Sequence, residues 1–211
     1  MNSRLVLACR AVAWRRLVLV LVVVLLVLGK ANAAPNEQQE IQALYRRGLA
    51  GDKNAVEQCI EKLEGVLKVQ IDNHYARVYL GSAFTLRSRD MSFGPKKLST
   101  LKRGVALMNE AVTAAPDDPK VRLARALTTS ALPAILGYRA ESRKDFALLA
   151  QAADAHPENF DEGEQQLVYY HAGLIAKTQG DATRAAALWK KALAHPADPD
   201  LAAKVRAALK E

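Results

Sequence analysis

The sequence predicts an all-α fold built from about four stacked antiparallel helical hairpins and a C-terminal capping helix. From Gln38 onward, apolar residues recur at the spacing of helices, and no stretch alternates like a β-strand. Alanine, the strongest helix former, is abundant. A motif that ends in proline also returns after about 40 residues, a period typical of stacked helical hairpins.

The first 33 residues depart from this pattern and are predicted to be a secretory signal peptide. Residues 1–16 contain four arginines and no acid, residues 17–28 are leucine and valine, and Ala31-Asn32-Ala33 forms a small-residue cleavage site. A twelve-residue helix is about 18 Å long, too short for a hydrocarbon core of about 30 Å. We expect cleavage after Ala33, a mature domain over 34–211 and a periplasmic location. The alternative is an uncleaved signal that anchors the chain beside a membrane complex.

The basic charge belongs largely to that segment. The full chain has 30 basic and 22 acidic residues, a net charge of +8. Five of the basic residues and none of the acids lie in residues 1–33, so the mature chain carries only +3. Export and this low charge argue against nucleic acid as a partner. Cys59, the one cysteine of the mature chain, lies in a helical pattern and is predicted to be a buried apolar residue.

Helix ends follow from local signals. Asp52, Asp117 or Asp118, Asp161 and Asp181 occupy N-cap positions, and glycine or proline follows the expected helix ends. The predicted helices are 37–49, 53–69, 72–89, 97–115, 118–131, 140–155, 162–179, 182–194 and 198–210.

Three segments share a large apolar residue, an alanine three positions later and a proline four or five positions after that. They are Met108, Ala111 and Pro116; Leu149, Ala152 and Pro157; and Trp189, Ala192 and Pro196. The prolines are 41 and 39 residues apart. Each such segment reads as the second helix of a hairpin that ends near its proline.

The last unit carries a fuller signature, formed by Tyr169, Gly173, Gly180, Asp181, Ala185, Trp189, Ala192, Leu193 and Pro196. Residues 166–197 closely resemble a tetratricopeptide repeat (TPR), and upstream units match it partially. The resemblance implies a right-handed solenoid in which small residues let paired helices approach closely. It also implies a protein-binding or scaffold role without cofactors.

Two stretches between paired helices exceed the usual repeat length, by about eleven and about nine residues, and are predicted to lie on one rim of the solenoid. They suggest a basic, partly apolar site for a partner's acidic segment. Its residues are Arg87, Arg89, Phe93, Lys96, Lys97, Tyr138, Arg139 and Arg143. The alternative interpretation is that Phe93, Ile135 and Leu136 pack the two loops together while the charges stay solvated.

The concave face is a second candidate, because solenoids commonly hold extended peptides there. Helical spacing predicts that it presents Tyr75, Val78, Ser82, Val121, Arg125, Tyr170, Leu174 and Lys177. This mixed set would suit a peptide that carries an acidic residue.

Enzyme and metal sites are not predicted. His156 and His195 precede Pro157 and Pro196, where a histidine meets the dipole at a helix C-terminus. No metal-ligand spacing, nucleophile elbow or phosphate-binding glycine loop occurs. We therefore expect an exported, non-catalytic binding module. The alternative function is an envelope enzyme or transport accessory protein whose basic rim binds a small anionic ligand. The partner, the pathway and the oligomeric state do not follow from the sequence.

Overall fold

The computed structural model describes residues 37–210, a range whose regular structure is entirely helical and contains no β-strand. Its α-helices are α1 (Glu37–Leu49), α2 (Lys53–Val69), α3 (His74–Arg89), α4 (Pro95–Ala114), α5 (Pro119–Ala131), α6 (Arg139–Ala155), α7 (Glu162–Thr178), α8 (Ala182–Ala194) and α9 (Pro199–Ala208). Short 3-10 turns cover Ala134–Leu136 and Pro157–Asn159. The predicted all-α fold is confirmed. The predicted signal peptide, its cleavage site and the start of the mature domain lie outside the described residues.

The chain divides into two units, residues 1–42 and 43–211. The described part of the first unit is the beginning of α1. In the second unit, consecutive helices pair as hairpins, most extensively α3 with α4, α5 with α6 and α7 with α8. Contacts of α2 with α3, α3 with α5, and α6 with α7 stack one hairpin on the next, and α9 packs on α8. This is the predicted helical-repeat solenoid.

Side-chain caps fix most helix starts. Asp52, Asp118, Asp161 and Asp181 each accept a hydrogen bond from a backbone N–H in the first turn of the following helix. At α7 the cap is reciprocal, because the Glu164 side chain also accepts from the Asp161 N–H. These are the four capping positions predicted from the sequence, with Asp118 rather than Asp117 as the second.

The two extra stretches take different forms. The first is mostly helix: α3 runs to Arg89 and α4 begins at Pro95, so the connecting loop is only residues 90–94. Proline suits the first helical position because that N–H has no partner in the helix, and α4 therefore starts two residues before the predicted boundary. The second stretch is a true connection over 132–138, in which Gly137 has a φ of +82°.

Glycines mark the closest approaches between paired helices. A Cβ added at Gly81 would lie 2.5 Å from the Gly104 carbonyl oxygen, so the backbones of α3 and α4 cross where neither has a side chain. A Cβ at Gly173 would lie 2.3 Å from Trp189 Nε1, because the indole occupies that space and donates to the Tyr170 carbonyl oxygen at 3.2 Å. The small residue predicted at the hairpin crossing is thus required by the aromatic residue.

One carboxylate is fully buried in the interior of the second unit. Asp145 on α6 is 0% exposed and accepts hydrogen bonds from Arg122 at 3.0 Å and from Arg125 at 2.7 and 2.8 Å. The two arginines lie on α5, so this ion trio ties the hairpin together. Cys59 is also buried, as predicted, and burial raises the pKa of its thiol to about 11.

Candidate binding surface

A cavity of about 500 Å³ is lined by residues of α1, α3, α4 and α5 and of the 132–138 connection. We call it the concave cavity. Its size falls within the usual range of ligand pockets, about 300–1,000 Å³, and its lining is mainly apolar. The lining residues are Tyr45, Leu49, Tyr79, Ser82, Thr85, Leu86, Ser88, Arg89, Lys97, Leu101, Ala124, Leu127, Thr128, Ala131, Leu132, Pro133 and Leu136.

Three hydroxyl groups that line the concave cavity are hydrogen-bonded in a row. Tyr45 Oη lies 2.6 Å from Ser82 Oγ, which lies 2.7 Å from Thr128 Oγ1. Thr128 donates to the Ala124 carbonyl oxygen at 2.8 Å, so Ser82 donates to Thr128 and Tyr45 donates to Ser82. Burial raises the pKa of Tyr45 in spite of these bonds. This hydroxyl relay links α1, α3 and α5, and each of its three hydroxyl protons is donated to an acceptor within the chain.

An aromatic group continues the wall along α3. The ring of Tyr79 meets Tyr45 edge to face at a centroid distance of 5.2 Å and lies 4.6 Å from the ring of Tyr75. Burial also raises the pKa of Tyr79. Tyr75 and Ser82, both predicted for the concave face, therefore belong to the neighbourhood of the cavity.

The basic residues at the cavity mouth already have partners within the chain. Arg89 forms a two-pronged ion pair with Asp90 and donates to the Gly48 and Leu49 carbonyl oxygens at the end of α1. The Arg89 guanidinium lowers the pKa of Asp90. Lys97 donates to the Arg89 and Met91 carbonyl oxygens at 3.2 and 3.0 Å. These two cations therefore bind carbonyl oxygens at or just after the ends of α1 and α3.

Arg87 is also occupied. It pairs with Glu57 on α2, with Nε 2.7 Å from Oε1, and its guanidinium lies 5.1 Å from the centre of the Phe84 ring. Three of the predicted rim cations, Arg87, Arg89 and Lys97, thus hold neighbouring helices together.

The apolar rim residues do not form the predicted contact between loops. Phe93 is 101% exposed and Ile135 is 94% exposed, so neither packs the two connections together. Leu136 and Tyr138 pack instead against the core formed by α3, α4 and α5. Lys96, three positions after Phe93 in the chain, is also exposed.

Arg139 and Arg143 lie apart from these residues. They line a second cavity, of about 350 Å³, between the end of α5, the start of α6 and the end of α7. We call it the α6 cleft. Leu174, predicted for the concave face, lines this cleft as well.

Other predicted concave residues are structural. Val78 and Val121 are 0% exposed and pack in the core of α3, α4 and α5, which corrects the prediction that they face a partner. The helical period assigned these two residues to the concave face of α3 and α5, whereas both lie on the core face of those helices. Arg125 is bound to Asp145 and to Asn109 Oδ1 at 3.1 Å.

The last two predicted positions lie on α7, with Trp189 as their shared neighbour. Tyr170 accepts the indole N–H, and Lys177 Nζ lies 5.8 Å from the Trp189 ring centre. Sequence reasoning missed Tyr45, Tyr79 and Leu132 in the concave cavity, and Ser142 and His171 in the α6 cleft. Tyr45 could have been found from its helix, because the first helices of the hairpins line the inner surface.

Asp154 and the two histidines that precede prolines have local structural roles. Asp154 accepts from the Tyr169 hydroxyl at 2.9 Å and from Lys191 at 2.6 Å. His156 and His195 are the C-cap residues of α6 and α8, as predicted.

Among residues 37–210, no cluster of three or more potential metal ligands occurs. No helix in that range has the length and apolar character needed to cross a membrane.

Comparison with known proteins identifies the fold. No protein-family model matches the sequence, and no curated protein matches it. The crystal structure of a thermophilic TPR protein from Thermus thermophilus is similar, with a TM-score of 0.58 and 18% identity over 97% of this chain and 96% of that one. The chain therefore has a TPR-like helical-repeat fold.

Proposed function

We propose that this chain is an exported, non-catalytic protein-interaction module whose concave cavity holds a side chain from an extended segment of a partner. The observation that carries the proposal is a mainly apolar cavity of about 500 Å³ lined by α1, α3, α4 and α5. Helical-repeat folds use such concave surfaces for extended partners. No constellation of catalytic residues in the sequence motivates an enzymatic role.

The lining specifies an apolar or aromatic anchor on the partner. Leu127, Leu132 and Leu136 supply its apolar surface, and Leu49 at its edge is 52% exposed. The hydroxyl relay is satisfied within the chain, so a polar anchor would gain little from it. Burial of an apolar anchor contributes about 25 cal/mol for each Å² removed from water.

An acidic residue next to the anchor would find a positive neighbour. The Lys97 ammonium has three donors, and two are used on the Arg89 and Met91 carbonyl oxygens. The third is available at the cavity mouth. Phe93 on the adjoining loop and Lys96 in the first turn of α4 are exposed. A partner segment with one apolar residue followed by one acid fits this arrangement.

A substitution that fills the concave cavity tests whether partner peptides bind there. Peptides selected from a random library against residues 34–211 should bind the wild-type protein and share an apolar or aromatic position. Ala131→Trp places an indole in the cavity from an exposed position and should weaken their binding at least about tenfold. Ala106→Trp, at an exposed position on α4 outside the cavity, is the matched control. Equal affinity of all three proteins would contradict the concave cavity as the binding site.

Export is tested by the N-terminus of the protein made in its native cell. Mass spectrometry should find a mature chain that begins at Ala34. A chain that still begins at Met1 would contradict cleavage and favour the signal-anchored alternative.

A further inference from the structure

The α6 cleft differs from the concave cavity in the state of its charged groups. Arg139 and Arg143 are one helical turn apart, so their side chains lie on the same face of α6, and both line the cleft. Both are exposed, and neither makes a hydrogen bond or ion pair with any residue in the range 37–210. The cleft therefore carries two positive charges that the described fold does not use.

Nearby acids do not neutralise this pair. Glu141 lies two positions from each arginine, which places it on the opposite side of the helix, and it does not line the cleft. Asp145 is bound by Arg122 and Arg125.

A hydroxyl that faces the cleft also lacks a partner among the described residues. Ser142 is 4% exposed and lines the cleft, yet its hydroxyl makes no hydrogen bond to any residue that the structure describes. The other two hydroxyls of the lining do: Ser130 donates to the Leu127 carbonyl oxygen and Thr178 to the Ile175 carbonyl oxygen. The Ser142 oxygen is open to the cleft rather than sealed in the interior, so its hydroxyl proton is available to a ligand oxygen there.

The start of α6 adds to the positive character of the cleft. Ser142 and Arg139 lie in the first turn, where the backbone N–H groups give a helix its partial positive charge. The N-cap residue, Tyr138, provides no side-chain hydrogen bond to these groups. An anion near this turn would be stabilised by the helix as well as by the arginines.

The inner part of the cleft is apolar. Phe146 is fully buried there, and Leu174 and Ile175 form the facing wall on α7. The His171 ring stacks on Phe146 with its centroid 4.8 Å away, and burial lowers the pKa of His171 to about 4. This wall is therefore uncharged at neutral pH.

From this arrangement we infer that the α6 cleft is a second, separate binding site, for a small organic anion with an apolar body. Arg139 and Arg143 would hold the carboxylate or phosphate, since guanidinium groups bind both in a two-pronged geometry. Ser142 would donate to one of its oxygens, and the body would rest on Phe146, Leu174 and Ile175. The volume of about 350 Å³ suits a single aromatic ring with its anionic group.

The test is a titration of the protein comprising residues 34–211 with benzoate, phenyl phosphate, inorganic phosphate and benzyl alcohol, followed by NMR of the backbone amides. Benzoate, phenyl phosphate or both should shift the amides of residues 139–146 and 171–178. Stronger binding of one of the two assigns the anionic group as carboxylate or phosphate. Benzyl alcohol, without charge, and inorganic phosphate, without an apolar body, should each bind at least about tenfold more weakly.

Variants distinguish binding at the α6 cleft from a general effect of positive charge on the protein surface. Arg139→Ala combined with Arg143→Ala should reduce affinity at least about tenfold, and Ser142→Ala about threefold. Lys144→Ala removes an exposed cation of the same helix that does not line the cleft, and it should bind like the wild type. Circular dichroism checks that each variant is folded. Unchanged affinity in the double variant, or no localised shifts with either aromatic anion at about 10 mM, would overturn the inference.

Discussion

The concave cavity and the α6 cleft are both bordered by basic residues, but those residues have opposite roles. At the concave cavity, Arg89 and Lys97 are bound to carbonyl oxygens and to Asp90. At the α6 cleft, Arg139 and Arg143 have no partner among the described residues. A basic cluster in a sequence can therefore contain both cations that hold helices together and cations that are free to meet a ligand.

The polar groups inside the two cavities differ in the same way. The three hydroxyls of the concave cavity satisfy one another, whereas the Ser142 hydroxyl in the cleft has no described partner. The first cavity is thus suited to an apolar side chain and the second to an oxyanion.

The largest expected effect concerns the most buried paired cations. Asp145→Ala leaves Arg122 and Arg125 without their shared carboxylate in the interior, so the free energy of unfolding should fall by about 3–5 kcal/mol. Urea denaturation measures it. Arg139→Ala, in the same helix and unpaired, should change stability by no more than about 0.5 kcal/mol. A loss below about 1 kcal/mol in Asp145→Ala would show that the ion trio does not hold the hairpin.

The next effect is the pH dependence caused by His171. Its pKa is about 4 in the folded protein and about 6.5 in the unfolded chain, so only the unfolded state takes up this proton between those values. The associated stability is complete above pH 6.5 and is lost as the pH falls toward 4, at up to about 1.4 kcal/mol per unit.

His171→Leu should flatten this part of the stability profile in urea titrations at pH 4.5, 5.5 and 6.5. The difference between the two slopes isolates His171 from the other titrating groups. Parallel profiles would mean that the ring is accessible to water and that the cleft wall is not apolar.

A smaller effect on stability should distinguish paired from unpaired cations at the surface. Arg89→Ala removes hydrogen bonds to the end of α1 and should cost about 1 kcal/mol, reduced from the buried value because the side chain is 40% exposed. Arg143→Ala should leave the melting temperature within about one degree. Equal losses in calorimetry would remove the distinction between paired and unpaired cations.

The smallest effect is expected at the exposed tip of the rim. Phe93→Ser should leave stability within about 0.5 kcal/mol of the wild type, because the ring is entirely exposed. The same variant should weaken binding of the selected peptides if the loop borders the partner. A clear loss of stability in thermal denaturation would indicate a packing role that the structure does not contain.

Much of the fold could be predicted because its signals are local. Asp161 with Glu164 starts α7, and Gly180 with Asp181 turns the chain into α8, within a few residues of sequence. The contact between Gly173 and Trp189 could also be predicted, because both residues lie in one hairpin.

The site was harder to predict because it depends on contacts between distant residues. Arg87 meets Glu57 thirty positions away, and Arg125 meets Asp145 twenty positions away, so neither pairing is visible in a local pattern. Val78 and Val121 were misplaced because the helical period gives a face but not its rotation relative to the next hairpin.

The most direct test compares both ligands on both variants by isothermal titration. The selected peptide should lose at least about tenfold in affinity for Ala131→Trp and keep its affinity for the Arg139→Ala, Arg143→Ala double variant; the aromatic anion should show the reverse. That pattern would establish two independent sites, an apolar one for a partner protein and a basic one for a small anion. Loss of both ligands in one variant, or retention of both in each, would contradict this division.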